Sequence, residues 1–580
     1  MNRLIATIHW NQTPKEAIIK EKDFFHSHLE LSVERTSVLA YDGAGYFYNP
    51  ETGVFVSIVG YIANIYDVRD RYGLHQTDDV EILERIYSMT NKRGELSFRD
   101  ELDGVFFVLI YDERQEKVYL FQSEFGCPIP IYYTSAPGKF VLSTSMKLLL
   151  QKAGVCREFH HPSIKDFMSY GEIIPNENTL VEGVKKLVTQ RNMIIDITSR
   201  QKRYELFRCA EEELSREEAE ARLIDSIGNN IKKLAQQLRK PDYTLTLTGG
   251  WDSNLMLSFL NNQCTGIINA VTINGGGTTS EIPSVKHVLR FYSRSKTRQF
   301  TRMIQGSVFN SLPNIVWILE GYLFQTGVFL RYVLSELIRE IGSSSVFLGS
   351  GADPILNSEM GPGGNRVYEP YVDGLSVALT SELRRTARNI CIKNFVGDIY
   401  FFLKKETDEN WIKRKCLRPG FRQRYNTQID YNMKMHELML NSFGIQGLYP
   451  FINRNTVYCA KPLRPLNNGK SFYKRKVKEH LGQDISSVLK KSHEVVDTDN
   501  LFEANSHWLE KILHSGFIDR ILPAAQTKRI RTDPAQYQTS LLKILYLHLF
   551  EKLILSGQYD DKFNDSQIGD TLEQVFGQEP

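Results

Sequence analysis

The chain lacks any apolar run of 18 residues, has no Cys-x-x-Cys pair, and shows neither internal repeats nor a low-complexity linker. The first absence removes the usual signature of a membrane-crossing helix, and the start, Met1-Asn2-Arg3-Leu4-Ile5, has no long apolar core of a secretory signal. Only seven cysteines occur in 580 residues, an odd number, scattered along the chain. That usage disfavours a disulfide framework or a zinc site and fits free thiols in a reducing compartment. Charge of one sign is also scarce: the formal net charge is +3, too little for a generalised nucleic-acid surface. The expectation is a soluble cytoplasmic protein with no nucleic-acid and no membrane partner.

What remains is ordinary globular composition, 42% apolar, over a length that one core seldom serves, so two or three domains are expected. Residues 1 to about 205 read as strand-rich: Val54 to Ile62, Val105 to Tyr111, Val118 to Gln122, Ile129 to Tyr133 and Phe140 to Ser143 are β-type runs. An amphipathic helix is predicted over Asp78 to Thr90. After a charged boundary, Ser215 and Glu218 stand in capping-box spacing, and a helix should run to about Leu238. Strands and helices then alternate, which favours a mostly parallel sheet: Tyr243 to Leu247, Ile267 to Ile273, a short piece at Gln299 to Thr301, and Ser345 to Leu348. Residues 380 to 555 read as mainly helical, and the tail after about Tyr559 as polar and without fixed structure.

Chemistry concentrates where two of these strands end. Thr248-Gly249-Gly250 follows the first, and Asp252-Ser253 opens the next helix. Such a strand, glycine turn and helix N-terminus form an anion cradle, and an aspartate there can hold Mg²⁺ against phosphate oxygens. Gly349-Ser350-Gly351-Ala352-Asp353 follows the last strand in the same way. Either loop alone also fits an ordinary strand-to-helix turn; two in order at one sheet edge fit a Mg²⁺-nucleotide site, with Asp252 and Asp353 as metal ligands. Other candidates are weaker. His26, His28 and the His160-His161 pair have no matching ligand spacing, and Gly361 to Gly364 follows no strand and reads as a mobile loop or lid.

The first loop resembles the Ser-Gly-Gly-x-Asp-Ser turn of the ATP pyrophosphatases, and residues 45 to 495 resemble the asparagine synthetase B family. Val59 to Asn64 is similar to its Asn-Gly-Glu-Ile-Tyr-Asn, Asp103 to Phe106 to its x-Gly-x-Phe, Gly126 to Tyr132 to its Gly-x-x-Pro-Leu-Tyr, Ser143 to Lys147 to its Ala-Ser-Glu-x-Lys, and Tyr449 to Arg454 to its Pro-Phe-Leu-Asp-x-x. The resemblance implies an α/β protein: a glutaminase-like (Ntn-type) α+β domain over 1–205, an ATP-pyrophosphatase domain with a helical extension over 206–560, and a polar tail over 561–580. It assigns Leu247, Thr248, Gly249, Gly250, Asp252, Ser253, Val271, Thr272 and Gly349 to ATP. Glu281 matches an acidic residue near the nucleotide, or is a helix N-terminal charge.

Departures narrow the function. A glutaminase of this family uses an N-terminal cysteine, and position 2 here is Asn2; Val59 replaces the Asn of the oxyanion hole. Cys127 and Cys156 read as buried small residues. Without glutamine-derived ammonia the chain is most similar to β-lactam synthetase and the lasso peptide cyclases, in which an amine of the same substrate attacks the acyl-adenylate. The implied reaction adenylates an Asp or Glu side chain of a precursor peptide and closes a macrolactam with its N-terminal amine, with a leader-binding protein and a leader peptidase as partners. A small-molecule cyclase, an ammonia-using ligase and a catalytically weakened scaffold are the alternatives. Ser350 stands where relatives carry a Tyr or His base, and the family's late lysine maps onto Lys491 or His493; Lys490 reads as a solvated charge.

Overall fold

The computed structural model describes residues 4–356 and 433–576 apart from several loop stretches, the longest being residues 486–497. Side chains between residues 9 and 44 are not described. Among the described residues up to 206, thirteen strands form two antiparallel sheets. One has the order β11-β9-β10-β1-β4-β3-β2 and the other β13-β12-β8-β7-β6-β5. The strands of the first sheet are β1 (Leu4–His9), β2 (Ile18–Lys22), β3 (His28–Val33), β4 (Thr36–Tyr41), β9 (Tyr132–Ala136), β10 (Lys139–Ser143) and β11 (Lys185–Lys186). Those of the second are β5 (Gly45–Asn49), β6 (Val54–Ile62), β7 (Gly104–Asp112), β8 (Lys117–Gln122), β12 (Arg191–Asp196) and β13 (Gln201–Leu206).

Strand periodicity explains the layering. In β6, Phe55, Val59 and Tyr61 join the main core, whereas Val54, Val56, Ile58 and Ile62 join a separate core under the helices Ile65–Arg71 and Asp79–Thr90. Alternate side chains leave opposite faces of a strand, so a continuous apolar run is buried on both. Asp78 caps the second of these helices by accepting from the Val80 N–H. The run expected at Ile129 to Tyr133 folds as β9 three residues later, in register with β10 and β11.

The capping box at Ser215 and Glu218 is present, and its helix, Arg216–Gln237, ends as expected at Leu238. A five-stranded sheet follows, in the order β16-β15-β14-β17-β18 with every pairing parallel. Its strands are β14 (Tyr243–Thr246), β15 (Ile268–Asn274), β16 (Thr297–Met303), β17 (Ser345–Phe347) and β18 (Gln446–Leu448). β16 is seven residues long, more than its sequence suggested, because it pairs with β15 along its whole length. β18 was hidden in a stretch read as helical. Its Gly447 lies against Glu437, whose Oε2 an added Cβ would overlap.

Two expectations change. Cys156 is exposed rather than buried, while Cys127 sits in the core. The C-terminal stretch is not a detached polar tail: Ile568, Leu572 and Val575 are buried, and Asp560 forms a two-pronged ion pair with Arg157 at 2.6 and 2.7 Å. No helix among the described residues is long and apolar enough to cross a membrane.

Candidate active site

β14 is flanked by β15 on one side and β17 on the other, with Leu245 level with Phe347. The strand order changes direction across β14, the point at which an open parallel sheet places a crevice at the carboxyl ends of its strands, here β14 and β17. Both glycine loops emerge there. A Cβ on Gly349 would lie 3.4 Å from Asp252 Cβ, so the loops touch.

The first loop is tied from within. Thr248 N–H donates to Ser253 Oγ at 3.1 Å, and Gly250 N–H donates to Thr248 Oγ1 at 3.1 Å. Fully buried Asn254 donates through Nδ2 to Thr248 O at 3.1 Å and Gly250 O at 2.6 Å. Two of the backbone donors expected to face a ligand are thus engaged by hydroxyls, and Thr248 and Ser253 fix the turn. Asn254 was missed, since a buried amide in an apolar helix carries no motif. The helix Trp251–Gln263 that follows is anchored from outside: His480 stacks on Phe259 at 4.6 Å and its Nε2 lies 3.2 Å from Ser258 Oγ.

Asp252 and Asp353 come together around a cation that sequence reasoning did not select. Lys470 Nζ lies 2.8 Å from Asp252 Oδ2 and 2.7 Å from Asp353 Oδ1, with its own side chain only 8% exposed. Burial works against its charge, yet the two carboxylates outweigh it and hold the ammonium above its usual range. The fully buried Tyr473 ring faces the same group, and burial, then the Asp252 charge, push its hydroxyl well above the usual value. Lys470 is 218 residues from Asp252, beside a basic cluster that reads as a solvated face, so only its position after Gly469 hinted at a turn.

Leu247, Val271 and Thr272 are buried, and the Thr272 hydroxyl donates to Leu247 O at 2.8 Å, which ties β15 to the start of the first loop. Ser350 is half-buried in the second loop, between Gly349 and Gly351. Glu281 is buried at the start of the helix Ile282–Val288. His160 is engaged through Nδ1 by Ser163 Oγ at 2.7 Å. Asn2, His26, Gly361 to Gly364, Lys490, Lys491 and His493 lie outside the described residues, as does the His28 side chain.

Residues of both domains brace the second loop. Gly351, at φ 94, rests on Ile452, whose Cγ1 would be 2.5 Å from an added Cβ. The segment carrying Ile452 is held at both ends by the N-terminal domain. Tyr449 N–H donates to Tyr61 Oη at 3.0 Å, and Arg454 N–H donates to Asp103 at 3.1 and 3.2 Å. The Arg454 guanidinium donates to Asp100 O and Leu102 O, with Glu124 3.6 Å away. Removing these paired donors leaves buried acceptors without partners. Arg454→Met is therefore expected to destabilise the protein by about 2–4 kcal/mol, read as a lowered urea midpoint.

Beside it, Glu437 accepts from Tyr449 Oη at 2.8 Å and from Gly447 N–H at 3.2 Å. Burial pushes its carboxyl from 4.5 up to about 7. The folded chain then binds this proton more tightly than the unfolded chain, so stability falls as pH rises between those values. The full span is worth about 3 kcal/mol. Glu437→Gln should flatten that slope in urea unfolding across pH 5 to 8; an unchanged slope assigns the proton elsewhere.

Comparison with known proteins follows this division. Residues 14–205 match the glutamine amidotransferase domain model, and residues 234–439 match the asparagine synthase model. The glutamine-hydrolysing asparagine synthetase 2 of Bacillus subtilis (strain 168) is 20% identical over 394 residues, 64% of this chain and 52% of that protein. The chain thus spans about half the length of that curated relative. Among solved structures, a glutamine PRPP amidotransferase from B. subtilis complexed with ADP and GMP is 12% identical, over 62% of this chain and 77% of that one, with a TM-score of 0.23. The allosteric regulatory enzyme of purine biosynthesis is 11% identical, over 52% and 80%, also with a TM-score of 0.23. Likenesses this distant say nothing of function. The chain carries an N-terminal glutamine amidotransferase domain and a C-terminal asparagine synthase domain.

Proposed function

Starting from an amidotransferase domain joined to an asparagine synthase domain, the arrangement of the asparagine synthetase family, we propose that this protein is an ATP-dependent amide-bond ligase that closes a macrolactam ring in a peptide. The observation that carries the adenylating half is the convergence of Asp252 and Asp353 from two glycine loops at one crevice. Their donor set fits a divalent cation. Asp252 Oδ1 is buried and makes no hydrogen bond of normal geometry among the described residues. No group of three or more His, Cys, Asp or Glu gathers around a metal position there or elsewhere among the described residues. Two carboxylates completed by water and substrate phosphates suit Mg²⁺. That cation supplies charge neutralisation on the phosphates when bound.

The residues of the chain do the rest. Asn254, Ser253 and Thr248 fix the cradle for the pyrophosphate end, and Leu247, Val271 and Thr272 receive the nucleoside. A substrate carboxylate oxygen attacks the α-phosphorus and pyrophosphate leaves; an amine of the same peptide then attacks the acyl carbon, loses its proton and expels AMP. Ser350, where relatives carry a base, would take that proton, and Lys491 or His493 would steady the acyl centre. A precursor peptide, a leader-binding protein and a leader peptidase are the partners this reading requires.

Support for an internal amine comes from the amidotransferase domain. Val59, at the position of the amide donor in related glutaminases, is fully buried in β6, and Cys127 is locked in the core. The test is substrate profiling: pyrophosphate release should require a leader-free peptide with a free N-terminal amine and an internal Asp or Glu. Release that instead follows added ammonia, with no peptide present, defeats the cyclase reading.

A further inference from the structure

Lys470 stands where one positive charge is shared by both carboxylates assigned to the metal, and the same place cannot hold an ammonium and a divalent cation together. We propose that Lys470 is a built-in counter-ion that occupies the Asp252–Asp353 pair before substrate arrives, bars the free divalent cation, and yields only to the cation–nucleotide complex. This rests on the reading of the crevice as a metal–nucleotide site.

Three observations bear on it. The Nζ contacts of 2.8 and 2.7 Å are direct, so a cation bridging the same oxygens must displace the ammonium. The side chain is nearly buried over the Tyr473 ring, 5.6 Å from its centre, so the charge has no solvent alternative in this rotamer. The backbone of Lys470 is left-handed, φ 60 and ψ 26, at the residue before the helix Ser471–Leu481. That conformation is uncommon for a side-chain-bearing residue. Here the side chain is held by the two ion pairs, and the helix that begins at Ser471 is itself pinned by His480 on Phe259.

The chemical logic is exchange. Two carboxylates brought together without a cation repel, which would make the empty pair avid for any divalent ion. Lys470 neutralises that avidity in advance. A metal bound to phosphates brings negative charge with it, and the displaced ammonium then has anionic oxygens to face. Free metal offers no such compensation. Metal and nucleotide should therefore bind together, each weakly without the other.

Mn²⁺ titration of the full-length protein, followed by electron paramagnetic resonance, tests this without turnover. Without nucleotide, wild type and Lys470→Arg should bind Mn²⁺ weakly, whereas Lys470→Met should bind it at least about tenfold more tightly. The double variant Lys470→Met with Asp353→Asn should lose that gain. Lys470→Gln is a second neutral variant should Lys470→Met melt early. A non-hydrolysable ATP analogue should raise Mn²⁺ binding in wild type. If the analogue does so but neither neutral Lys470 variant gains affinity for free Mn²⁺, the counter-ion proposal is overturned. If wild type binds no Mn²⁺ with the analogue either, the metal–nucleotide reading itself falls.

Discussion

Asp252→Ala is expected to abolish peptide-dependent pyrophosphate release, by about 10³-fold or more, with the fold retained. The magnitude follows from what the carboxylate is asked to do. In the proposed mechanism it would help hold the charge that neutralises a developing pyrophosphate, worth several kcal/mol of barrier, and about 1.4 kcal/mol is tenfold in rate. Its contribution to folding is smaller. Asp252 opens the helix Trp251–Gln263 and is matched there by Lys470, but Asn254 and Ser253 keep the turn tied without it. The result also separates an enzyme from a scaffold. A scaffold with Asp252→Ala would support product formation as well as wild type.

Gly351→Ala should be nearly as damaging although it removes no functional group. Position 351 sits at φ 94, where a side chain is strained, and the new Cβ would meet Ile452 Cγ1 at 2.5 Å and Cδ1 at 2.7 Å. Strain of this kind costs about 1–3 kcal/mol. Ile452 cannot retreat freely, because its segment is gripped by Tyr61 at one end and Asp103 at the other. The loop must move instead, carrying Asp353 away from Asp252. A displacement near 1 Å is enough for about a 10²-fold loss of rate. Pairing Gly351→Ala with Ile452→Ala, which clears the overlap, should recover part of the activity; no recovery would place the fault in the backbone alone.

How much of this was legible in the sequence depends on the physics behind each signal. Local rules held where local forces decide. The capping box at Ser215 and Glu218, the cap at Asp78 and the two strand-to-glycine turns are set by hydrogen bonds within a few residues. Three-residue β18 was invisible because its extended state comes from pairing with β17, not from Gln-Gly-Leu itself. β9 shifted for the same kind of reason: its register is fixed by β10 and β11. At the site, both aspartates were readable as motif residues, but their shared partner was not. Lys470 reaches them through tertiary folding across more than a hundred residues, and nothing in its neighbours separates it from solvated lysines. Asn254 was hidden by its apolar neighbours. The grip of Tyr61 and Asp103 on residues 449–454 was hidden too: each segment was recognised singly, and only the fold shows that they touch.

The central claim is that this crevice cleaves ATP between the α- and β-phosphates to join a carboxylate and an amine within one peptide. The most direct measurement incubates the full-length protein with α-labelled ATP and a leader-free peptide carrying a free N-terminus and an internal Asp or Glu. Nucleotide products and peptide mass are followed together. The account predicts labelled AMP formed only when peptide is present, with one water lost from the peptide for each AMP released. Labelled ADP, or AMP formed while the peptide mass stays unchanged, would contradict it.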